Sequence, residues 1–246
     1  MNRFDRVRKL GNRIVRTISC SFFILVLLAS KNDLPRLFLI GDSISIQYTP
    51  YLKDYLQDLV VFARKEDDGA AKGDLDVPTG ANGGDSRMVL EYLKSKLEEP
   101  GFTPDFLLLN CGLHDIKRDV TTGKAQVSET EYKENLSTIV KVVRQRNIQL
   151  IWIRSTPVVD SIHNSRSRAF HRFASDLEAY NRIADDVFEK ARIPIIDLYG
   201  FTQSLGIAQI SDHVHYRESA RALQAAYISG FLQNYLSTRA VRMKGK

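Results

Sequence analysis

Cysteine is nearly missing from this chain of 246 residues, which has only Cys20 and Cys111. Cys20 lies in the N-terminal segment and Cys111 closely follows a hydrophobic run, so a disulfide framework is excluded and Cys111 reads as a small buried side chain. A basic excess is missing from the body of the chain as well. The net charge is +6, but residues 1–30 alone carry Arg3, Arg6, Arg8, Lys9, Arg13 and Arg16 against Asp5. The remainder is close to neutral and offers no surplus for neutralising phosphates, so a nucleic-acid partner is not expected. Uninterrupted apolar runs are short. The longest uncharged stretch near the N-terminus, Thr17 to Ser30, falls below the roughly 20 residues of a membrane span. No phosphate-binding Gly-x-x-x-x-Gly-Lys-Ser/Thr pattern, internal repeat or low-complexity tract occurs. Without a cluster of metal-ligand residues at recognisable spacing, neither a metal nor an organic cofactor is expected.

What the first 30 residues do contain is a basic segment, the apolar core Phe22-Phe23-Ile24-Leu25-Val26-Leu27-Leu28 and the small residues Ala29 and Ser30. That order has the form of a signal peptide. Leu27 or Leu28 occupies the place of a second small residue upstream of a cut, so an uncleaved membrane anchor is the other reading. Export or tethering is expected, with any membrane contact confined to residues 1–30. Residues 31–246 are long enough for one sizeable domain.

Apolar runs suited to buried parallel strands recur at Leu37–Ile40, Val60–Ala63, Phe106–Asn110, Leu150–Ile153 and Ile193–Leu198. Helical patterns lie between them. Tyr132, Leu136, Ile139, Val140 and Val143 share one helical face behind the capping box Ser128-x-x-Glu131. Thr49-Pro50 reads as a cap followed by a first-turn proline. Ser86 to Leu97, Phe173 to Ala191 and Glu218 to Leu236 complete the helices. Strand–helix alternation predicts an α/β fold, a three-layer α/β/α sandwich around a five-strand parallel sheet in the flavodoxin-like order 2-1-3-4-5. Ligands bind such sheets beyond the carboxyl ends of the strands. The long polar loops 65–85, 111–127 and 157–170 are expected at that edge.

Four segments reach the same edge. Gly41-Asp42-Ser43-Ile44 places a serine directly after the first strand. Asp212-x-x-His215 sets a carboxylate three residues from an imidazole, a spacing that lets it hold Nδ1 and leave Nε2 for a nucleophile. His213 competes as the base, but side chains adjacent in sequence usually point apart, which favours His215. Asn82-Gly83-Gly84-Asp85-Ser86 opens a helix, where glycine permits close approach and the N-terminus favours negative charge. Asn110-Cys111-Gly112-Leu113-His114-Asp115 follows the third strand and offers hydrogen-bond donors. Serine, histidine and aspartate so arranged are the components of nucleophilic acyl transfer.

With these motifs in place the chain resembles the SGNH/GDSL hydrolases over roughly residues 36–235. Gly41-Asp42-Ser43 matches that family's nucleophile block, Gly84 its second-block glycine, and Asp212-x-x-His215 its last block. The third block, usually Gly-x-Asn-Asp, reads Gly112-Leu113-His114-Asp115 here, with histidine in place of the usual oxyanion asparagine. The resemblance implies an SGNH-like hydrolase domain over residues 31–246. It also implies a GDSL-type serine esterase with Ser43, His215 and Asp212 as its triad. The oxyanion hole would comprise the amides of Ser43 and Gly84 and the side chain of His114, with Asn110 as a fallback donor. The expected substrate is a small-molecule or carbohydrate ester, with short or acetyl acyl groups. An O-acyltransferase using the same residues and a non-catalytic carbohydrate-binding domain of the same fold remain alternatives.

Overall fold

The computed structural model describes residues 34–66, 69 and 73–244, with side chains described as far as residue 238 outside the omitted loop residues. The chain divides into Met1–Leu34 and Pro35–Lys246. Apart from Leu34, the first unit lies outside the described residues, and with it the expected export or anchor segment. Among the described residues no helix is long and apolar enough to cross a membrane.

Five strands form the parallel sheet: β1 (Arg36–Ile40), β2 (Val61–Arg64), β3 (Phe106–Leu109), β5 (Gln149–Ile153) and β7 (Ile195–Ile196), ordered β2-β1-β3-β5-β7. Counting only these strands along the chain, the order is the expected 2-1-3-4-5. Leu37–Ile40, Phe106–Leu109 and Leu150–Ile153 are buried throughout, because helices cover both faces of the sheet. Burying each such side chain contributes about 1.5–3 kcal/mol. One helical layer joins α1 (Ser43–Tyr55) to α7 (Glu218–Lys244), which also packs on α6 (Leu198–Ser204). The other joins α2 (Ser86–Leu97), α3 (Glu129–Gln145) and α5 (Ala174–Lys190). The helix α3 begins as its capping pattern requires, with the Ser128 hydroxyl accepting the Glu131 amide at 3.2 Å.

Three expectations about elements need correction. Thr49-Pro50 does not open a helix: α1 already starts at Ser43, and Pro50 lies inside it. Asp42 provides the cap instead, its carboxylate accepting the amides of Ile44 and Ser45, while the Thr49 hydroxyl donates back to the Ser45 carbonyl at 2.6 Å. The last strand shrinks to Ile195–Ile196 because Pro194 cannot donate to the ladder and Asp197 already caps α6 through the Gly200 amide. The final helix runs past Leu236 to Lys244.

The polar loops carry short elements with no readable period. Within 111–127 lies β4 (Arg118–Asp119), and near residue 170 lies β6 (Phe170–His171) after the helix α4 (Asp160–Arg166). β4 and β6 pair antiparallel, with Arg118 opposite His171, and so tie the loop after β3 to the loop after β5.

Candidate active site

Ser43 is the first residue of α1, directly beyond the buried end of β1. The turn is tight: a Cβ on Gly41 would stand 2.8 Å from Ser45 Cβ, so glycine lets strand and helix meet at this angle. Asp42 takes the amides of Ile44 and Ser45 on its carboxylate, and its carbonyl takes that of Ile46 at 3.2 Å. The Ser43 amide is left without an acceptor among the described residues, at the positive end of a helix. Burial raises the Asp42 pKa against the opposing effect of the two amides it accepts.

His215 reaches Ser43 from 172 positions away, with Nε2 2.9 Å from the serine hydroxyl. Its Nδ1 lies 2.8 Å from Asp212 Oδ2. The other carboxylate oxygen, Oδ1, accepts the backbone amides of Val214 and His215, both at 2.8 Å. Partial burial works against the Asp212 charge, but the bonds from the His215 ring and these amides outweigh it and hold the carboxyl well below its ordinary range. A carboxylate so held fixes Nδ1 as the protonated nitrogen, which leaves the Nε2 lone pair to accept the serine proton. His213 points elsewhere and pairs through Nε2 with Asp76 Oδ2 at 2.9 Å.

The ligand-type atoms of Asp212, His213 and His215 lie within 4.8 Å of one another. Both ring nitrogens of His215 are already engaged, by Asp212 and by Ser43. A cation drawn to His215 would have to displace these hydrogen bonds.

His114 is buried, and neither of its ring nitrogens forms a hydrogen bond among the described residues. Burial, with Lys117 and Arg172 nearby, pushes its pKa well below the ordinary histidine value, so the ring is neutral and keeps one N–H to donate. Gly84 has φ +72°, and a Cβ there would meet Met88 Sδ at 2.5 Å, which explains why the position is glycine. Its amide, however, already donates to Asn82 Oδ1 at 3.0 Å. A substrate oxygen would have to share or displace that bond, whereas the Ser43 amide and the His114 ring are uncommitted. Asn110 donates to the Ile153 carbonyl at 3.0 Å and the Ser155 hydroxyl at 3.2 Å, fastening the end of β3 to that of β5. Cys111 is buried, and its thiol pKa is pushed up by burial.

Residues 39–223 match the GDSL-like lipase/acylhydrolase family model, three quarters of the chain. The chain belongs to that family. It is accordingly a hydrolase acting on ester bonds. Solved structures agree in fold. A lipase/acylhydrolase from Enterococcus faecalis superposes with a TM-score of 0.62 at 16% identity, covering 82% of this chain and 97% of its own. A psychrotrophic esterase from Pseudoalteromonas sp. gives 0.58 at 14%, covering 82% and 98%. An acetyl xylan esterase gives 0.56 at 15%, covering 78% and 97%. No curated protein sequence matches.

Three residues around this GDSL site carried no readable signal in sequence: Asp76, His163 and Arg172. Each is a charged or polar residue in an irregular segment or short helix, without a motif. The flanking aromatics of Phe170-His171-Arg172-Phe173 are the one local hint that this arginine is buried.

Proposed function

We propose that this GDSL hydrolase is a serine esterase that removes short acyl groups, acetyl above all, from a polar alcohol such as a carbohydrate hydroxyl. The observation that carries the mechanism is the continuous hydrogen-bond path from the Ser43 hydroxyl to His215 Nε2, at 2.9 Å, and from Nδ1 to Asp212, at 2.8 Å. Ser43 Oγ attacks the ester carbonyl as its proton passes to Nε2, and the Asp212 carboxylate stabilises the imidazolium. The carbonyl oxygen becomes an oxyanion facing the Ser43 amide and the His114 N–H, with the Gly84 amide as a shared donor. Collapse expels the alcohol, which takes the proton back from His215 and leaves the acyl group on Ser43. Water then attacks this ester, its proton passing through the same ring, and the acid departs.

Polar neighbours support a small acyl group on a polar alcohol. The His213 ring lies 5.6 Å from that of His215 and pairs with Asp76, whose carbonyl accepts from Lys117. An acetyl xylan esterase among the structures of like fold supports the same direction. For residues 1–30 we propose export or membrane tethering, on the strength of their basic segment and apolar run. The substrate reading is tested with p-nitrophenyl esters of increasing chain length beside acetylated xylo-oligosaccharides. Expected is a kcat/KM that falls steeply beyond about four carbons, with acetate released from the oligosaccharide. Preference for long chains with no acetate release would overturn it.

A further inference from the structure

Arg172 follows β6 and is 2% exposed. Its Nε donates to the Leu113 carbonyl at 2.7 Å, one residue before His114. Its Nη1 lies 3.0 Å from His163 Nε2, and the guanidinium sits over the Phe170 ring at 4.8 Å. The other His163 nitrogen, Nδ1, is 3.0 Å from Asn164 Oδ1, which also accepts the Arg172 amide at 3.0 Å. An arginine cannot accept, so His163 Nε2 must be the bare nitrogen, and Nδ1 carries the proton. Burial, followed by the adjacent guanidinium, pushes the His163 pKa down to about 4 and keeps the ring in this neutral, accepting form.

A buried cation is ordinarily matched by a carboxylate in contact. Arg172 makes no ion pair with a carboxylate among the described residues and is held instead by a carbonyl, a neutral imidazole and an aromatic face. Asp76 and Asp42 oppose the burial of its charge only from longer range. Such an arrangement leaves the positive field unquenched at close quarters. It also uses the rigid fork of the side chain to join the His114 loop to α4, the helix that bears His163.

We infer that Arg172 is the positioning residue of the oxyanion hole. It fixes the Leu113–His114 backbone so that the His114 ring meets the substrate oxygen, and it adds positive potential behind that ring. The inference rests on the esterase mechanism proposed above, and it extends that mechanism to a residue outside the matched motifs. Arg172 acts through His114 and does not touch the reacting atoms.

The test is a double-mutant cycle on p-nitrophenyl acetate with Arg172→Met, Arg172→Lys and His114→Ala. Arg172→Met is expected to lower kcat about 10- to 100-fold, less than loss of a donor itself, with KM within about threefold. Arg172→Lys keeps the charge but not the fork and should fall between parent and methionine variant. In the His114→Ala background, Arg172→Met should cost less than about threefold, because the group it acts through is gone. Equal fold losses in the two backgrounds would overturn the inference, as would parental kcat in Arg172→Met. If the methionine variant does not fold, the cycle is run with Arg172→Lys and read the same way. Ser43→Ala keeps the two questions apart: full activity in that variant removes the esterase mechanism, whereas its loss together with an indifferent Arg172 removes only the positioning role.

Discussion

His213 and Asp76 form a second imidazole–carboxylate pair beside that of His215 and Asp212, with Nε2 2.9 Å from Oδ2, and this pair turns His213 away from Ser43. The His213 ring packs edge-on between His215, at 5.6 Å, and His163, at 4.9 Å. The Asp76 carbonyl is meanwhile held by Lys117 Nζ at 3.0 Å. His213 thereby fastens the segment after β2 to the turn that carries His215.

The two histidines should consequently separate in kinetics. His215→Ala should lower kcat by several powers of ten, leaving the residual rate of the oxyanion hole. His213→Ala should keep kcat within a few-fold of the parent. Steady-state rates on a soluble ester decide this, and the reverse ranking would make His213 the base.

The same pair should appear in acid stability. Partial burial raises the Asp76 pKa, but the bond from His213 prevails and brings it down to about 2 from the ordinary 3.8. A lowered carboxyl pKa contributes stability that is complete above the unfolded value and is lost as pH falls through the folded one. Urea unfolding should show His213→Ala less stable than the parent near pH 6, with the gap narrowing between about pH 4 and pH 2. The partly exposed position of Asp76 keeps the effect modest. A gap independent of pH would show that the histidine contributes packing alone.

Asp115, beside His114, should act in the opposite direction. Burial pushes its pKa up to about 7, despite the Ser86 amide it accepts at 2.9 Å. A raised carboxyl pKa means that stability is fully present below the unfolded value of about 4 and is lost as pH rises through 7. Asp115→Asn, which keeps an acceptor but cannot ionise, should gain on the parent as pH rises from 4 to 8. Thermal unfolding across that range checks the sign, and parallel curves would contradict it.

His114 is where the chain departs from its family's third block. Its replacement by alanine should lower kcat about 100- to 1000-fold with little change in KM, since an oxyanion bond strengthens only in the transition state. His114→Asn, the residue the block usually carries, should recover part of the loss. A kcat within a few-fold of the parent in the alanine variant would make His114 structural.

Much of this was legible in the sequence because burial writes a pattern. Leu37–Ile40 and Phe106–Leu109 read as strands since both sheet faces are covered, and Ser128 announced α3 by its cap. The spacing of Asp212 and His215 sufficed to favour His215 over His213, a choice that the mutants above test. Thr49-Pro50 misled because a proline after a threonine suits a first turn, yet the cap that Asp42 supplies seven residues earlier prevails. The β4–β6 ribbon was illegible: two residues on each side are too few for an alternation to register. Arg172 was illegible for a related reason, because its partners are a backbone carbonyl and an imidazole, and neither leaves a complementary charge in the sequence.

The most direct test of the account is the site of covalent capture. A fluorophosphonate should add a single adduct per chain, located by peptide mass spectrometry on Ser43. Ser43→Ala should abolish both the adduct and ester hydrolysis while the protein stays folded. An adduct on another residue, or hydrolysis undiminished in Ser43→Ala, would contradict the assignment of the nucleophile and the mechanism built on it.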